Sequence, residues 1–369
     1  MIKKLNRSKK VMRKGLVKLG IGTLVMATVA SFVSIAGAAT FQVNLRLDLP
    51  DDNPGDGICR AIQTTERKRL LNCSLRAAVM EANALPGADK ITLGWGKFPL
   101  TYAGYSNESA GYTGDLDIVD KLQIEGRGKG KTIIDASGLV NQKMSPEGDR
   151  IFDIHGPGVV TMQGMTLIGG NAMGGPREYY ARQEQNESPV CPIVKPEDEA
   201  DGGALLNRGA IVMLTDMHFE DNQALCDGGA VENAGDGIMT IKGCDFAYNT
   251  AIGNGGAVEN DEDSIMAITT ADFQWNNAME NGGALASDDS MLFLTSGTLS
   301  FNSAQGMGGG IWNGDSDVMT IKRSTITYND AADGGGIFNN DGFLNLRSNV
   351  IEFNSPNDIV DQQIPEELP

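Results

Sequence analysis

Histidine is almost missing from this chain: His155 and His218 are its two copies in 369 residues, and neither stands in an HExxH pattern. A GxSxG elbow is absent too, so the common zinc-protease and serine-hydrolase signatures are excluded. Glycine is abundant at 47 residues but follows no period of three, which excludes a collagen-like chain and points to tight turns. Positive charge is scarce, with 30 Lys and Arg against 48 Asp and Glu. Such acidity repels nucleic acid and anionic membranes, so neither is an expected partner. Cysteine is limited to five residues, which cannot all pair within one chain.

Long apolar runs are confined to one place. Eight Lys or Arg and no acid fill residues 1–18, an apolar run follows from Leu19 to Ala36, and small residues close it. The pattern reads as a Sec signal peptide over residues 1–38. The mature chain then has no membrane span and a formal charge near −26, because the leader removes eight basic residues and no acidic ones. The expected location is secreted, extracellular or at the outer cell surface, with the periplasm as the other Sec destination. Export also permits disulfides.

The rest of the chain is dominated by a repeat. GGALLN at 202, GGAVEN at 228 and again at 255, GGALAS at 282, GGGIWN at 308 and GGGIFN at 334 recur every 26 or 27 residues. Each is followed by an apolar residue (Phe219, Phe246, Phe273, Leu299, Ile326, Ile351) with Asn three positions later. Between the two markers lies a short apolar run such as IMTI at 238 or VMTI at 318. Units this small cannot bury their own apolar sides, so they must stack. Three short strands per repeat, separated by Gly, Asn and Asp turns, predict an all-β chain coiled once per repeat of about 26 residues: a parallel β-helix. Equivalent residues then stack in rows, with Leu205, Val231, Val258, Leu285, Ile311 and Ile337 inward and a file of Asn at the turns.

Upstream, Leu75, Ala78, Val79 and Ala82 recur at helical spacing, with Ser74 as N-cap and Pro86-Gly87 as stop. An amphipathic helix there would cap the open end of the coil. Cys59 and Cys73 close an interval just before it and are expected to form a disulfide that staples the cap. The expected organisation is a capping region over 39–100 and a β-helix over 101–369. Within the β-helix, 172–201 is an insertion, 202–355 the regular repeats and 356–369 a tail. The insertion carries Tyr179, Tyr180 and Cys191, and Cys191 is expected to pair with Cys226, leaving Cys244 reduced.

The stretch CSLRAAVMEANA, with Ala77 where the motif carries Glu, resembles the CSLREA domain of secreted bacterial proteins. The GGA[VIL] and FxxN repeats are similar to those of polymorphic outer-membrane proteins. The resemblance implies export, a right-handed parallel β-helix and a surface or extracellular role, and it implies no agreed reaction.

Three sets of residues are candidates for function. Glu232 and Glu259 fall one coil apart on the outward row, at about the carboxyl spacing of a retaining glycosidase; Trp312 and Phe338 on the same row could stack on a sugar or cover an apolar patch. Asp221, Tyr248, Trp275, Phe301, Tyr328 and Phe353 form a second row. Alternation from the Phe row turns it inward, and alternation from the Asn row turns it outward. Outward, the aromatics would be a stripe for sugar polymers or another protein. Acids crowd the turn after the Asn row, and Asp261, Asp263, Asp288, Asp289, Asp315 and Asp317 are oxygen ligands of the kind that suits Ca²⁺. The leading expectation is a monomeric, non-enzymatic protein that binds or adheres to a polysaccharide or a cell-surface protein. A polysaccharide lyase or glycoside hydrolase is the alternative.

Overall fold

The computed structural model of the chain describes residues 37–61, 72–103, 111–139, 148–172, 200–315 and 317–362. Most of the expected signal peptide, Tyr179, Tyr180 and Cys191 lie outside the described residues. The strands are overwhelmingly parallel and paired in register one repeat apart. Val231 faces Val258, Ile238 faces Ile265, Phe246 faces Phe273 and Ala251 faces Ala278. This is a parallel β-helix. One regular coil runs through Val231–Ala234, Ile238–Lys242 and Asp245–Ala247, the three expected strands, and adds the two-residue strand Thr250–Ala251. Among the described residues these build a 17-stranded sheet, a nine-stranded sheet and a five-stranded ladder of two-residue strands.

Stacking fills the core with like on like. The row Leu205, Val231, Val258, Leu285, Ile311 and Ile337 is fully buried. Phe219, Phe246 and Phe273 stack with ring centroids 4.7 Å apart and planes within 3°. Burial of each such side chain contributes about 1.5–3 kcal/mol. The Asn file does the polar equivalent. Asn222, Asn249, Asn276, Asn302, Asn329 and Asn354 form a chain in which each side-chain amide donates to the next carboxamide oxygen at 2.9–3.0 Å. The file ends on Asp358, which accepts from Asn354 at 3.0 Å.

The paired glycines have separate tasks. Gly228 has φ +63°, a conformation that L side chains rarely adopt. A Cβ on Gly229 would lie 2.1 Å from the carbonyl oxygen of Gly256 in the next coil, so the second glycine lets successive corners touch.

The coil begins before residue 101, inside the expected capping region. Thr40–Gln42 pairs with Ala88–Thr92, which pairs with Lys121–Glu125. At the other end Ile359–Asp361 pairs with Ile337–Asn339, so the expected tail supplies another strand. The helix Leu75–Ala84 closes the N-terminal end, with Ser74 Oγ accepting from the Ala77 amide at 3.0 Å. Leu75, Ala78, Val79 and Ala82 are all buried, as their spacing predicts. Cys59 and Cys73 are bonded beside the helix, Cα atoms 5.1 Å apart. Glu81 holds the preceding loop by accepting from Gly55 and Gly57, and Asn83 brackets a strand by donating to Asp117 O and accepting from Val119 N. Among the described residues no helix is long and apolar enough to cross a membrane.

Candidate functional site: an aromatic ladder and a buried charged row

Phe246 and Asn249 both face inward, which strict alternation forbids for residues three apart. The chain resolves the conflict at Tyr248, whose φ of 58° throws its ring out of the coil. Trp275, Phe301, Tyr328 and Phe353 repeat the conformation at φ 58–62°, as does Asp221 at 51°. The five aromatic residues are 43–63% exposed, which answers the orientation that alternation left open. From Trp275 the rings stack, with centroids 4.6 Å apart to Phe301, 5.3 Å on to Tyr328 and 5.4 Å on to Phe353. Left-handed backbone costs a non-glycine residue about 1–2 kcal/mol, and a stacked pair returns about 0.5–1.5 kcal/mol. Glycine or Asn would occupy these positions more cheaply. In a chain this acidic the ladder has mostly uncharged flanks: Ala247, Gln274, Ser300 and Thr327 precede its rings and Thr250, Asn277, Ser303 and Ser355 follow the Asn file, with Glu352 before Phe353 and Asp330 after Asn329 as the exceptions.

The second candidate row lies on the nine-stranded sheet. The register runs Asp117, Asp153, Leu206, Glu232, Glu259, Ala286, Trp312, Phe338, Val360. Glu232 and Glu259 are neighbours as expected, yet each is only 2% exposed, so they are not surface acids open to a polymer. Trp312 and Phe338 are also buried, in an apolar cluster with Ala286 and Val360, and are no open sugar platform. One cause corrects both expectations. The first glycine of each corner folds back over the side chain four residues later: a Cβ on Gly255 would touch Glu259 Cβ at 3.0 Å, and one on Gly334 would touch Phe338 Cβ at 2.9 Å.

At its N-terminal end the row becomes a charged network. His155, isolated in sequence, brings Nε2 to 3.1 Å from Asp117 Oδ1 and 3.6 Å from Asp153 Oδ1. Asp153 also accepts from Arg150 Nη1 at 2.9 Å and from Arg208 Nε and Nη2 at 2.9 and 3.0 Å. Burial alone would raise the Asp153 pKa, but the two guanidinium groups pull it below the ordinary value. The hydrogen bond to Asp117 raises that of His155. Burial drives Asp115 well upward and Asp149 up to about 6. Asp117, Asp153 and His155 are the one group of potential metal ligands that converges among the described residues, within 4.8 Å. The fit to Ca²⁺ is poor, because one donor is nitrogen and Asp153 already receives two guanidinium groups. The signal that could have found this network is the pair LDI at 116 and FDI at 152, whose aspartates fall in register.

The turn acids expected to bind Ca²⁺ are not drawn together. Asp317 turns inward, its carboxylate accepting from Ser290 N at 2.5 Å and Gly314 N at 3.0 Å, and burial pushes its pKa well up. Asp263 and Asp289 sit at φ 61° and 46° on exposed corners, and Asp261, Asp288 and Asp315 do not join them in a convergent set. Of the other cysteines, Cys226 is disulfide-bonded, and its expected partner Cys191 lies outside the described residues. Cys244 is free and buried, its thiol pushed up to about 12 by burial.

No protein-family model matches the sequence, and no curated protein matches it. Among solved structures, the chain is similar to the A-module of the mannuronan C-5 epimerase AlgE4 of Azotobacter vinelandii, at 12% identity over 78% of this chain and 94% of that one, with a TM-score of 0.29.

Proposed function

We propose that this is an exported, non-enzymatic β-helix protein that binds an extended, uncharged polysaccharide along the aromatic ladder. The observation that carries the reading is the ladder itself: bulky rings held outward at unfavourable backbone angles in five successive coils. Backbone strain of this kind points towards function when a cheaper residue would serve the fold. Uncharged hydroxyl and amide side chains beside aromatic carbon are the chemistry that recognises sugar hydroxyls and sugar C–H faces, and the ladder offers both. The CSLREA-like segment supports the export and surface location.

The test is affinity electrophoresis or calorimetry of the chain from Thr40 against neutral and acidic polysaccharides, with reducing-end release followed in parallel. Binding to a neutral polymer without release, weakened by Trp275→Ala and Tyr328→Ala, supports the reading. Binding confined to a protein ligand would overturn it.

The half-buried His155, held by Asp117, favours a second reading as a polysaccharide-cleaving enzyme. Release of sugar ends, abolished by His155→Gln and untouched by Trp275→Ala, would establish that one instead.

A further inference from the structure

Asp117 and Asp153 belong to the strands Leu116–Ile118 and Phe152–His155 and face each other across adjacent coils. Both are buried, yet their charges are met differently. Asp153 receives the guanidinium groups of Arg150 and Arg208. The Asp117 carboxylate receives no guanidinium and no lysine among the described residues. Its partners are the Gly111 amide, which donates to Oδ2 at 2.8 Å, and His155 Nε2 beside Oδ1. A buried carboxylate left to one amide and an imidazole is short of positive charge, which is costly away from water.

Three donors converge on that shortfall. His155 Nε2 stands 3.1 Å from Asp117 Oδ1 and 3.6 Å from Asp153 Oδ1, and one donor atom from each residue lies within 4.8 Å of the others. Around a tetrahedral cation with bonds of about 2.0–2.1 Å, neighbouring donors are about 3.3 Å apart. The two separations at His155 already straddle that length. The arginines leave room as well, because a carboxylate has about four lone-pair sites. Arg150 Nη1 and Arg208 Nη2 both donate to Asp153 Oδ2, and only Arg208 Nε reaches Oδ1, at 2.9 Å. Oδ1 keeps a second lone pair, and the guanidinium groups serve as outer partners that orient a ligating carboxylate. The His155 side chain is 32% exposed, so an ion can enter from solvent.

We propose that Asp117, Asp153 and His155 bind one divalent ion of the Zn²⁺ class, with water completing its coordination. Ca²⁺ would need six to eight oxygens, roughly, and this site has an imidazole and few carboxylate donors. The same donor set suits a late first-row ion. The ion takes the place of the proton between Nε2 and Asp117, leaving a neutral imidazole protonated on Nδ1. It joins two coils at one point and stabilises the fold by mass action. The site lies on the nine-stranded sheet and does not depend on the aromatic ladder or its ligand.

Calorimetric titration of the chain from Thr40, first stripped with a chelator, should show one Zn²⁺ site that is tighter than any Ca²⁺ binding by roughly tenfold or more. Co²⁺ used as a probe should give the visible absorption of a four-coordinate ion. His155→Gln should lower Zn²⁺ affinity by roughly tenfold or more and remove the Co²⁺ band. Asp117→Asn, which can still accept from Gly111, should do the same. His218→Gln alters the other imidazole and should change neither reading. Tm should rise with Zn²⁺ in the wild type and stay level in His155→Gln. Weak binding by scattered surface carboxylates would be indifferent to His155. Zn²⁺ affinity that is equal in wild type and His155→Gln, or Ca²⁺ bound as tightly as Zn²⁺, overturns the proposal.

Discussion

Arg76 and Asp48 form an ion pair in which neither side chain has any solvent exposure, Nε to Oδ1 2.7 Å. Arg76 sits on the buried face of the capping helix, and its other donors reach the carbonyls of Gly111, Gly114 and Asp115 at 2.7–3.0 Å. Asp48 in turn accepts from the amides of Thr101 and Tyr102. The guanidinium thus ties the helix to Asp48 and to residues 111–115, and through Asp48 to residues 101–102. Arg76→Ala leaves Asp48 buried without its counter-charge and should cost about 3–5 kcal/mol. Urea unfolding measures it, and Asp48→Asn in the Arg76→Ala background should recover part of the loss.

The second Asn file is broken at Ser287. Asn207 donates to Asn233 at 2.7 Å and Asn233 to Asn260 at 2.8 Å, but Ser287 is too short to continue the chain. Ser287 Oγ and Asn313 Oδ1 are both buried without a hydrogen-bond partner. Ser287→Asn would accept from Asn260 and donate to Asn313. The expected gain is about 1 kcal/mol, because the variant restores a bond and satisfies a desolvated acceptor. A rise in Tm by differential scanning calorimetry checks it; a fall would mean that the carboxamide does not fit beside Asp288 and Gly314.

The periodic rows were legible because every coil restates them: Phe246 and Asn249 have counterparts at fixed spacing, and the core follows. The orientation of Tyr248 was not, because a left-handed residue normally announces itself as Gly or Asn, and here that sign is replaced by aromatic rings. The burial of Glu232 was hidden for a different reason. Its cover is the backbone of Gly228, and backbone leaves no trace in a side-chain pattern. The pairing of His155 was not legible, since its partner Asp117 lies 38 residues away in an irregular coil, outside the 26-residue spacing that organises the rest.

The ladder rings can be separated from the fold. In Tyr328→Asn the left-handed angle suits the new residue, which relieves about 1 kcal/mol, while two stacking contacts of similar total size are lost. Stability should therefore change by less than about 1 kcal/mol. Polysaccharide affinity should fall severalfold in the same protein. Equal losses of stability and affinity would instead make the ring a structural element.

Acidification should stabilise this protein before it destabilises it. Burial, then the charge of Asp289, raises Asp288 from 3.8 to about 6; burial raises Asp149 to about 6 as well, and it pushes Asp115 and Asp317 well above the ordinary value. Groups whose folded pKa lies above the unfolded one bind more protons in the native state, so stability falls as pH rises through the folded value and returns as pH drops. His155, also raised, acts in the same direction at the upper end of the window. Asp153 is lowered, and its contribution is lost only as pH falls below the ordinary carboxylate range. Tm should therefore climb between about pH 7.5 and pH 5. Asp288→Asn removes one ionisation cost and, after discounting for its partial exposure, should add about 1 kcal/mol near pH 7.5. It should add almost nothing near pH 4.5, where the native carboxyl is already protonated. A variant whose gain is the same at both pH values would show that Asp288 is not charged at a cost in the folded chain.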